Sequence, residues 1–274
     1  MLVNSNINID SVLSYIENRR NSDGGYNTVG IEPSSAVDTF FAVATHNVLE
    51  SLPTDRHHIV NFMTAMERAR ALRSLKGRYV FIETIKLLGG KIDLSYQTEA
   101  ILKFQNNRGG FGLGEDIYIE IYSELESTFY AVESLCMLCC KIDDTAVVNY
   151  VLSFRNNDGG YGGKGFSTLP TTFFALKILE RFNQDKEIAK SREFLDSRND
   201  LKKRGSTYIE DIYWLTESLS ALGGKPQNHE AIVDFVTACQ RSDNHGFTRS
   251  ANGGIADFEY TYYAVKVLKG LERC

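Results

Sequence analysis

The sequence predicts an all-α fold: a closed α6/α6 toroid, a barrel of six helical hairpins in two three-hairpin halves, with residues 1–274 forming a single domain. Three observations predict it. A glycine-rich turn recurs, a threonine–aromatic–aromatic–small word recurs after it, and the second half of the chain repeats the first. Only 4 prolines against 22 glycines also suit helices punctuated by glycine turns.

The turn reads Asn21-Ser22-Asp23-Gly24-Gly25-Tyr26, Asn106-Asn107-Arg108-Gly109-Gly110-Phe111 and Asn156-Asn157-Asp158-Gly159-Gly160-Tyr161, with a worn copy at Ser242-Asp243-Asn244-His245-Gly246-Phe247. Each follows an apolar helical pattern, such as Val148, Val151, Leu152 and Phe154 before Asn156. Glycine reaches left-handed backbone angles without steric cost, so these pairs read as helix stops. The second word reads Thr39-Phe40-Phe41-Ala42, Thr128-Phe129-Tyr130-Ala131, Thr172-Phe173-Phe174-Ala175 and Thr261-Tyr262-Tyr263-Ala264. Each opens an apolar helix running to Leu49, Leu135, Leu179 or Leu268. Two further segments lack the turn but align with each other through Glu83–Lys91 and Glu217–Lys225.

The positions just before the threonine site are Asp38, Gly77, Ser127, Thr171, Asp211 and Tyr260. Asp38 and Thr171 lie 133 residues apart, Gly77 and Asp211 134, and Ser127 and Tyr260 133. Each half therefore holds three helix pairs, about 12 helices in all, with spacings that fit a helical hairpin unit. The second helix of most pairs is apolar around much of its circumference, as in Phe129-Tyr130-Ala131-Val132. Such a helix is buried on many sides, which favours a closed ring with these helices inside over an open solenoid. No sheet is expected.

The glycine–glycine–aromatic turn followed by Thr-aromatic-aromatic-small resembles the prenyltransferase and squalene-cyclase repeat. That repeat builds the toroid of protein prenyltransferase β subunits and of class II terpene cyclase domains. The resemblance covers nearly the whole chain and implies a central cavity suited to an isoprenoid chain. The inner-helix aromatics it puts there are Phe40, Phe129, Phe173, Tyr213, Trp214 and Tyr262. It also implies a helical α-subunit-like partner.

The transferase branch implies zinc held by an Asp-x-Cys-Tyr word opening the fifth inner helix and a His opening the sixth. Here the words read Glu210-Asp211-Ile212-Tyr213 and Asp257-Phe258-Glu259-Tyr260-Thr261. One carboxylate, Glu210, makes no zinc set by itself, so no metal site is expected. For the diphosphate, the resemblance puts an Arg nine residues before the Tyr of the fifth word, where Arg204 stands. Lys202, Lys203 and Arg204 form a basic run able to hold a phosphate, and Lys76 and Arg78 add a basic edge near the second inner helix. No cofactor is implied outright, and Mg enters only with a bound diphosphate. The other family positions for the head group carry Thr207, Glu126 and Thr168.

The cyclase branch implies a carboxylic acid opening an inner helix. Lys141-Ile142-Asp143-Asp144-Thr145 looks like the cyclase word but opens an outer helix, where an aspartate reads as an N-cap. In the right register stand Glu124-Leu125-Glu126 and Asp257-Phe258-Glu259, so Glu126 and Glu259 are the candidate proton donors, with Glu210 beside them. Like charges held together partly out of water make a protonated acid available. The other reading of all three is that acids simply favour helix N-termini.

Composition bounds the rest. A net charge of −5 and a pI near 5.6 argue against general nucleic-acid binding. No apolar run is long enough to span a membrane, and the polar segment Met1–Asp10 makes a cytoplasmic protein the expectation. Five cysteines, three within Cys136–Cys140, speak against a disulfide framework. The leading expectation is a prenyltransferase-β-like protein that binds an isoprenoid or other amphiphile. A cyclase-like enzyme and a non-catalytic interaction scaffold are the alternatives.

Overall fold

The computed structural model describes residues 8–112, 124–199 and 207–272. Six helices form the inner wall: α2 (Ala36–Val48), α4 (Leu75–Leu87), α6 (Glu124–Met137), α8 (Leu169–Arg181), α11 (Ile209–Ala221) and α13 (Phe258–Glu272). Each packs against the next, and α13 packs against α2, so the ring closes. The outer layer is α1 (Ile9–Glu17), α3 (Arg56–Arg68), α5 (Leu94–Leu102), α7 (Asp144–Leu152), the pair α9 (Asp185–Ala189) and α10 (Arg192–Ser197), and α12 (His229–Ala238).

Burial separates the two layers as the apolar pattern requires. The inner helix α2 buries Thr39, Phe40, Phe41, Ala42, Val43, Ala44, Thr45 and His46 in succession, whereas α3 buries only Ile59, Phe62 and Met63. Side-chain caps start the helices: Ser35, Ser74 and Thr168 on inner ones, Asp55, Asp93 and Asp143 on outer ones. Asp143 takes Ala146 N–H at 3.0 Å, the capping role read from the sequence.

Two details depart from the expected layout. The outer element between α8 and α11 is broken into α9 and α10 at Lys190 and Ser191, and the Ser191 hydroxyl donates to Gly159 O at 2.8 Å. A short antiparallel pair, β1 (Gly162–Gly163) with β2 (Phe166–Ser167), also forms in the loop before α8, although no sheet was expected.

The recurrent words turn out to be two halves of one joint. In each complete turn the first residue donates to the carbonyl of the second glycine, as Asn156 N does to Gly160 O at 2.9 Å. The aromatic that follows is fully buried, and its N–H donates to the repeated threonine hydroxyl. Tyr26 N meets Thr39 Oγ1 at 2.9 Å, Phe111 N meets Thr128 Oγ1 at 3.1 Å, Tyr161 N meets Thr172 Oγ1 at 2.9 Å and Phe247 N meets Thr261 Oγ1 at 3.1 Å. The threonine thus satisfies a buried donor that no helix or strand would otherwise pair. Gly159 shows why glycine is needed: its φ is +81°, and a Cβ there would lie 2.2 Å from Lys190 O. In the worn copy His245 takes the left-handed position at φ +65°.

Candidate functional site

All six inner helices run the same way. At the end where they start, Thr28 Oγ1 donates to Asp257 Oδ2 at 3.3 Å and Ile209 N to Arg249 O at 3.0 Å. At the end where they finish, Lys86 Nζ donates to Met137 O and Arg181 grips Glu133 with two nitrogens. The ring has an N-terminal mouth and a C-terminal mouth.

The axis between them is walled by aromatic rings in unbroken contact. Phe40 meets Tyr79 at a centroid distance of 5.7 Å, Tyr79 meets Phe129 at 6.0 Å, and Phe129 meets Phe173 at 6.2 Å. Phe173 meets Tyr213 at 5.5 Å, Tyr213 meets Tyr262 at 6.1 Å, and Tyr262 closes the circle on Phe41 at 5.6 Å. Five of the six aromatics named from the sequence stand here. Trp214 is half-buried against the core and lies outside the circle. Tyr79 was missed because its repeat lacks the threonine–aromatic word, although it sits two residues after Gly77 just as Phe40 sits two after Asp38.

The N-terminal mouth carries the predicted acids in three different settings. Glu126 accepts Tyr130 O–H at 3.0 Å, and Glu259 accepts Tyr263 O–H at 2.7 Å. These two i,i+4 dyads are 133 residues apart and sit on opposite inner helices, so the duplication places them face to face across the axis. Burial pushes the Glu259 carboxyl up. The Tyr263 hydrogen bond and the charge of Lys76 oppose that, while Asp257 and Glu210 add to it. Glu210 is buried, and Arg249 Nε donates to it at 2.6 Å, leaving Oε2 without a hydrogen bond among the described residues. Glu210 is thereby a salt-bridge partner of Arg249.

The predicted basic groups are less well placed. Arg78 faces outward: buried, it donates to Gln97 Oε1 at 3.0 Å, and Gln97 in turn donates to Glu67 Oε1 at 3.0 Å, tying α4 to α5 and α3. It is not available to a ligand at the mouth. Helix α4 places Lys76 there, where its charge reaches Glu259. Lys203 and Arg204 lie outside the described residues.

The positions that resemble a zinc set do not fit one. Ile212 is fully buried in the core, Tyr260 is a phenol, and Glu210 is held by Arg249. Among the described residues no group of three His, Cys, Asp or Glu could hold a metal ion. The cysteines at the end of α6 also differ from the buried thiols their apolar surroundings suggest, since Cys136 is half-buried and Cys139 exposed.

A cavity of about 430 Å³ opens at the other mouth. Its floor is Phe129, Phe173, Tyr213 and Tyr262, and its rim includes Glu133, Lys177, Arg181, Glu217 and Lys266. The volume falls within the roughly 300–1,000 Å³ of small-ligand sites. The sequence held the signal for this rim: each floor aromatic is followed four residues later by a charge, one helical turn on along the same face.

A closed ring of helix pairs around an aromatic-walled axis defines an α/α toroid. The model for the prenyltransferase alpha-alpha toroid domain matches residues 1–79, 71–202 and 182–273, and the chain belongs to that family. Among solved structures, Candida albicans protein geranylgeranyltransferase-I complexed with GGPP is similar over 96% of this chain and 90% of that one, with a TM-score of 0.73 and 14% identity. A variant of the type II terpene cyclase MstE from Scytonema, in complex with geranylgeranyl dihydroxybenzoate, is similar over 97% and 95%, with a TM-score of 0.65 and 10% identity. At such identities the likeness concerns the fold. No curated protein matches the sequence.

Proposed function

We propose that this chain binds the hydrocarbon part of an isoprenoid amphiphile inside the ring. The cavity floored by Phe129, Phe173, Tyr213 and Tyr262 carries the reading. Aromatic faces exclude water from an apolar chain and fill space at low conformational cost. Both structural neighbours were solved with geranylgeranyl compounds, which supports the same ligand class here. Zinc-assisted transfer is no part of this reading, because the donor set does not fit zinc. Mg²⁺ would accompany only a diphosphate-bearing ligand. A helical partner would find Val29, Ile31 and Ile255 exposed on the loops that lead into α2 and α13.

The test is solvent extraction of the purified protein followed by mass spectrometry, together with titration of geranylgeraniol followed by the fluorescence of Trp214, the sole tryptophan. Saturable binding by the parent is the expected result, with at least tenfold less prenyl compound extracted from Phe129→Trp, which is read by mass spectrometry because it adds a second tryptophan. A folded protein that neither carries nor takes up a prenyl compound refutes the reading and leaves the interaction scaffold.

Acid-initiated cyclisation is favoured by one further observation, the opposed Glu126–Tyr130 and Glu259–Tyr263 dyads with the Glu259 carboxyl raised by burial. A raised carboxyl keeps a protonated fraction at higher pH. Aromatic faces can also stabilise developing positive charge. In this reading the protonated Glu259 gives its proton to a substrate alkene, the cation closes onto the chain, the final cation loses a proton to water to leave a new alkene, and water returns a proton to the ionised Glu259. Glu126→Gln and Glu259→Gln should abolish cyclisation while leaving binding and melting temperature nearly unchanged. Turnover like the parent's in both variants would remove the cyclase reading.

A further inference from the structure

We infer that the wall of the ring carries a second, hydrolytic site for a carboxylic ester with an apolar acyl part, in which Ser51 is the nucleophile, His46 the general base and Glu17 the carboxylate that orients the base. The site lies between the two layers, where the end of α1, the end of α2 and the loop into α3 meet. It is independent of what the axial cavity binds.

Eight residues on from Asp38, Gly77, Ser127, Thr171, Asp211 and Tyr260 stand His46, Ile85, Leu135, Leu179, Leu219 and Leu268. All five aliphatic residues of this set belong to the buried core. The helix ends around them are built alike: Ser51 N donates to His46 O at 2.9 Å, as Gly90 N does to Ile85 O at 2.8 Å, Cys140 N to Leu135 O at 2.9 Å, Gln184 N to Leu179 O at 3.0 Å and Gly224 N to Leu219 O at 2.9 Å. Glu17, four residues before Asn21 opens the first glycine turn, stands where Leu102 and Leu152 precede Asn106 and Asn156. The ring thus makes this joint elsewhere with aliphatic residues, and the fold calls for no polar group here. A buried imidazole and a carboxylate in these places forgo apolar burial, and such departures from the local pattern concentrate at functional sites.

His46 is 3% exposed and is met at both ring nitrogens: Nδ1 lies 2.9 Å from Ser51 Oγ, and Nε2 lies 3.0 Å from Glu17 Oε1. Burial pushes the Glu17 carboxyl up, but hydrogen bonds from His46 and Tyr26 outweigh it and hold the carboxyl below its usual range, so it is ionised at neutral pH. An ionised carboxylate only accepts, so in the neutral imidazole Nε2 carries the proton and Nδ1 is left as the base facing the hydroxyl. Nucleophile, base and orienting acid thus stand in the order and at the spacing that activate a serine. Ser51 is half-buried, at the solvent edge of the cluster, and Leu52 beside it is 55% exposed, an apolar contact for the acyl part. Arg20 donates to Thr54 Oγ1 at 3.2 Å, and that hydroxyl lies 3.4 Å from Glu17 Oε2, which brings a positive charge to the cluster for the oxyanion. In the reaction Ser51 Oγ bonds to the ester carbonyl carbon, and its proton passes to His46 Nδ1. The bond from that carbon to the alcohol oxygen breaks as Nδ1 returns the proton to the departing oxygen. Water then attacks the acyl-serine and gives a proton to Nδ1, which returns it to Ser51 Oγ as the carboxylic acid leaves.

The test is labelling of the purified protein by an alkyl fluorophosphonate, located by peptide mass spectrometry, with hydrolysis of 4-nitrophenyl acetate measured alongside. The parent, Ser51→Ala, His46→Leu and Glu17→Gln are compared. The parent should take a single adduct, on Ser51, and Ser51→Ala none. His46→Leu carries the residue of the matching helices and should stay folded, yet label more slowly by roughly a hundredfold or more. Glu17→Gln should lower kcat for the ester by about tenfold or more with KM within about twofold, because it releases the tautomer without touching the substrate. A parent that stays unlabelled, an adduct elsewhere than Ser51, or equal labelling of the parent and His46→Leu overturns the proposal. If His46→Leu does not fold, Glu17→Gln decides: a kcat within about twofold of the parent's overturns it equally.

Discussion

Replacing Thr261 by valine isolates the joint that the repeats share. Thr261 Oγ1 accepts Phe247 N–H at 3.1 Å and donates to Asp257 O at 2.6 Å. Valine keeps the shape and removes both bonds. Asp257 O is still met by Thr261 N at 2.9 Å, so its loss is small. Phe247 N–H has no such reserve, because Phe247 and Thr261 are both fully buried and water cannot replace the hydroxyl. An orphaned buried donor costs about 1–3 kcal/mol. At about 2–4 °C per kcal/mol for a chain of this order of size, the melting temperature should fall by roughly 2–12 °C. The assay is thermal unfolding together with hydrogen exchange at the Phe247 amide. Thr261→Ser keeps the acceptor, loses about one methyl's worth of burial, near 0.8 kcal/mol, and should keep that amide protected. A Thr261→Val protein melting within 1 °C of the parent, with Phe247 still protected, would refute the account of why threonine recurs.

Three further outcomes follow from the same structure. Gly89→Ala, at φ +72° with open space around it, should cost only the left-handed strain of about 1–2 kcal/mol, whereas Gly159→Ala, which adds a clash with Lys190 O to the same strain, should cost clearly more than that; paired denaturant titrations would show the gap, and equal losses would contradict it. Burial disfavours ionised Glu17, but hydrogen bonds from His46 and Tyr26 outweigh it and hold its carboxyl below the usual range, so it contributes stability that is complete above a pH of about 4.5 and lost as pH falls through the lowered folded value; Glu17→Gln should flatten the acid limb of a melting-temperature profile there and leave the limb above pH 6 parallel to the parent's. Elemental analysis of purified protein should find no stoichiometric zinc, and one tightly held ion per chain lost on Glu210→Ala would contradict the donor-set argument.

The wall of the site was legible because the duplication is exact enough to carry a register. Once Asp38 and Thr171, or Ser127 and Tyr260, are aligned, the residue two places on is fixed for every repeat, and Phe40, Phe129, Phe173, Tyr213 and Tyr262 follow. Tyr79 obeys the same rule but lacks the flanking word, so a reading by motif passes over it. That Glu126 and Glu259 stand at equivalent places on opposite inner helices was legible for the same reason, since covalent spacing transmits symmetry.

What the sequence determined by itself was whatever depends on period: the number of helix pairs, the inner and outer alternation, and the register in which acids and aromatics recur. These are properties of one chain's spacing, and apolar burial enforces them whatever the neighbours do. Only the tertiary structure decided which way a long side chain turns and what it meets. Arg78 takes the register of the recurrent threonines Thr39, Thr128, Thr172 and Thr261, and only the packed structure shows its buried guanidinium meeting Gln97 in an outer helix. Glu210, a candidate acid by position, is held by Arg249 from 39 residues away, and Lys266 makes no ion pair among the described residues while Arg181 and Lys177 take Glu133, Glu180 and Glu217. Ion pairs form between helices at the ends of flexible side chains, where the energy differences are small and the geometry is set by which neighbours the closed ring brings within reach.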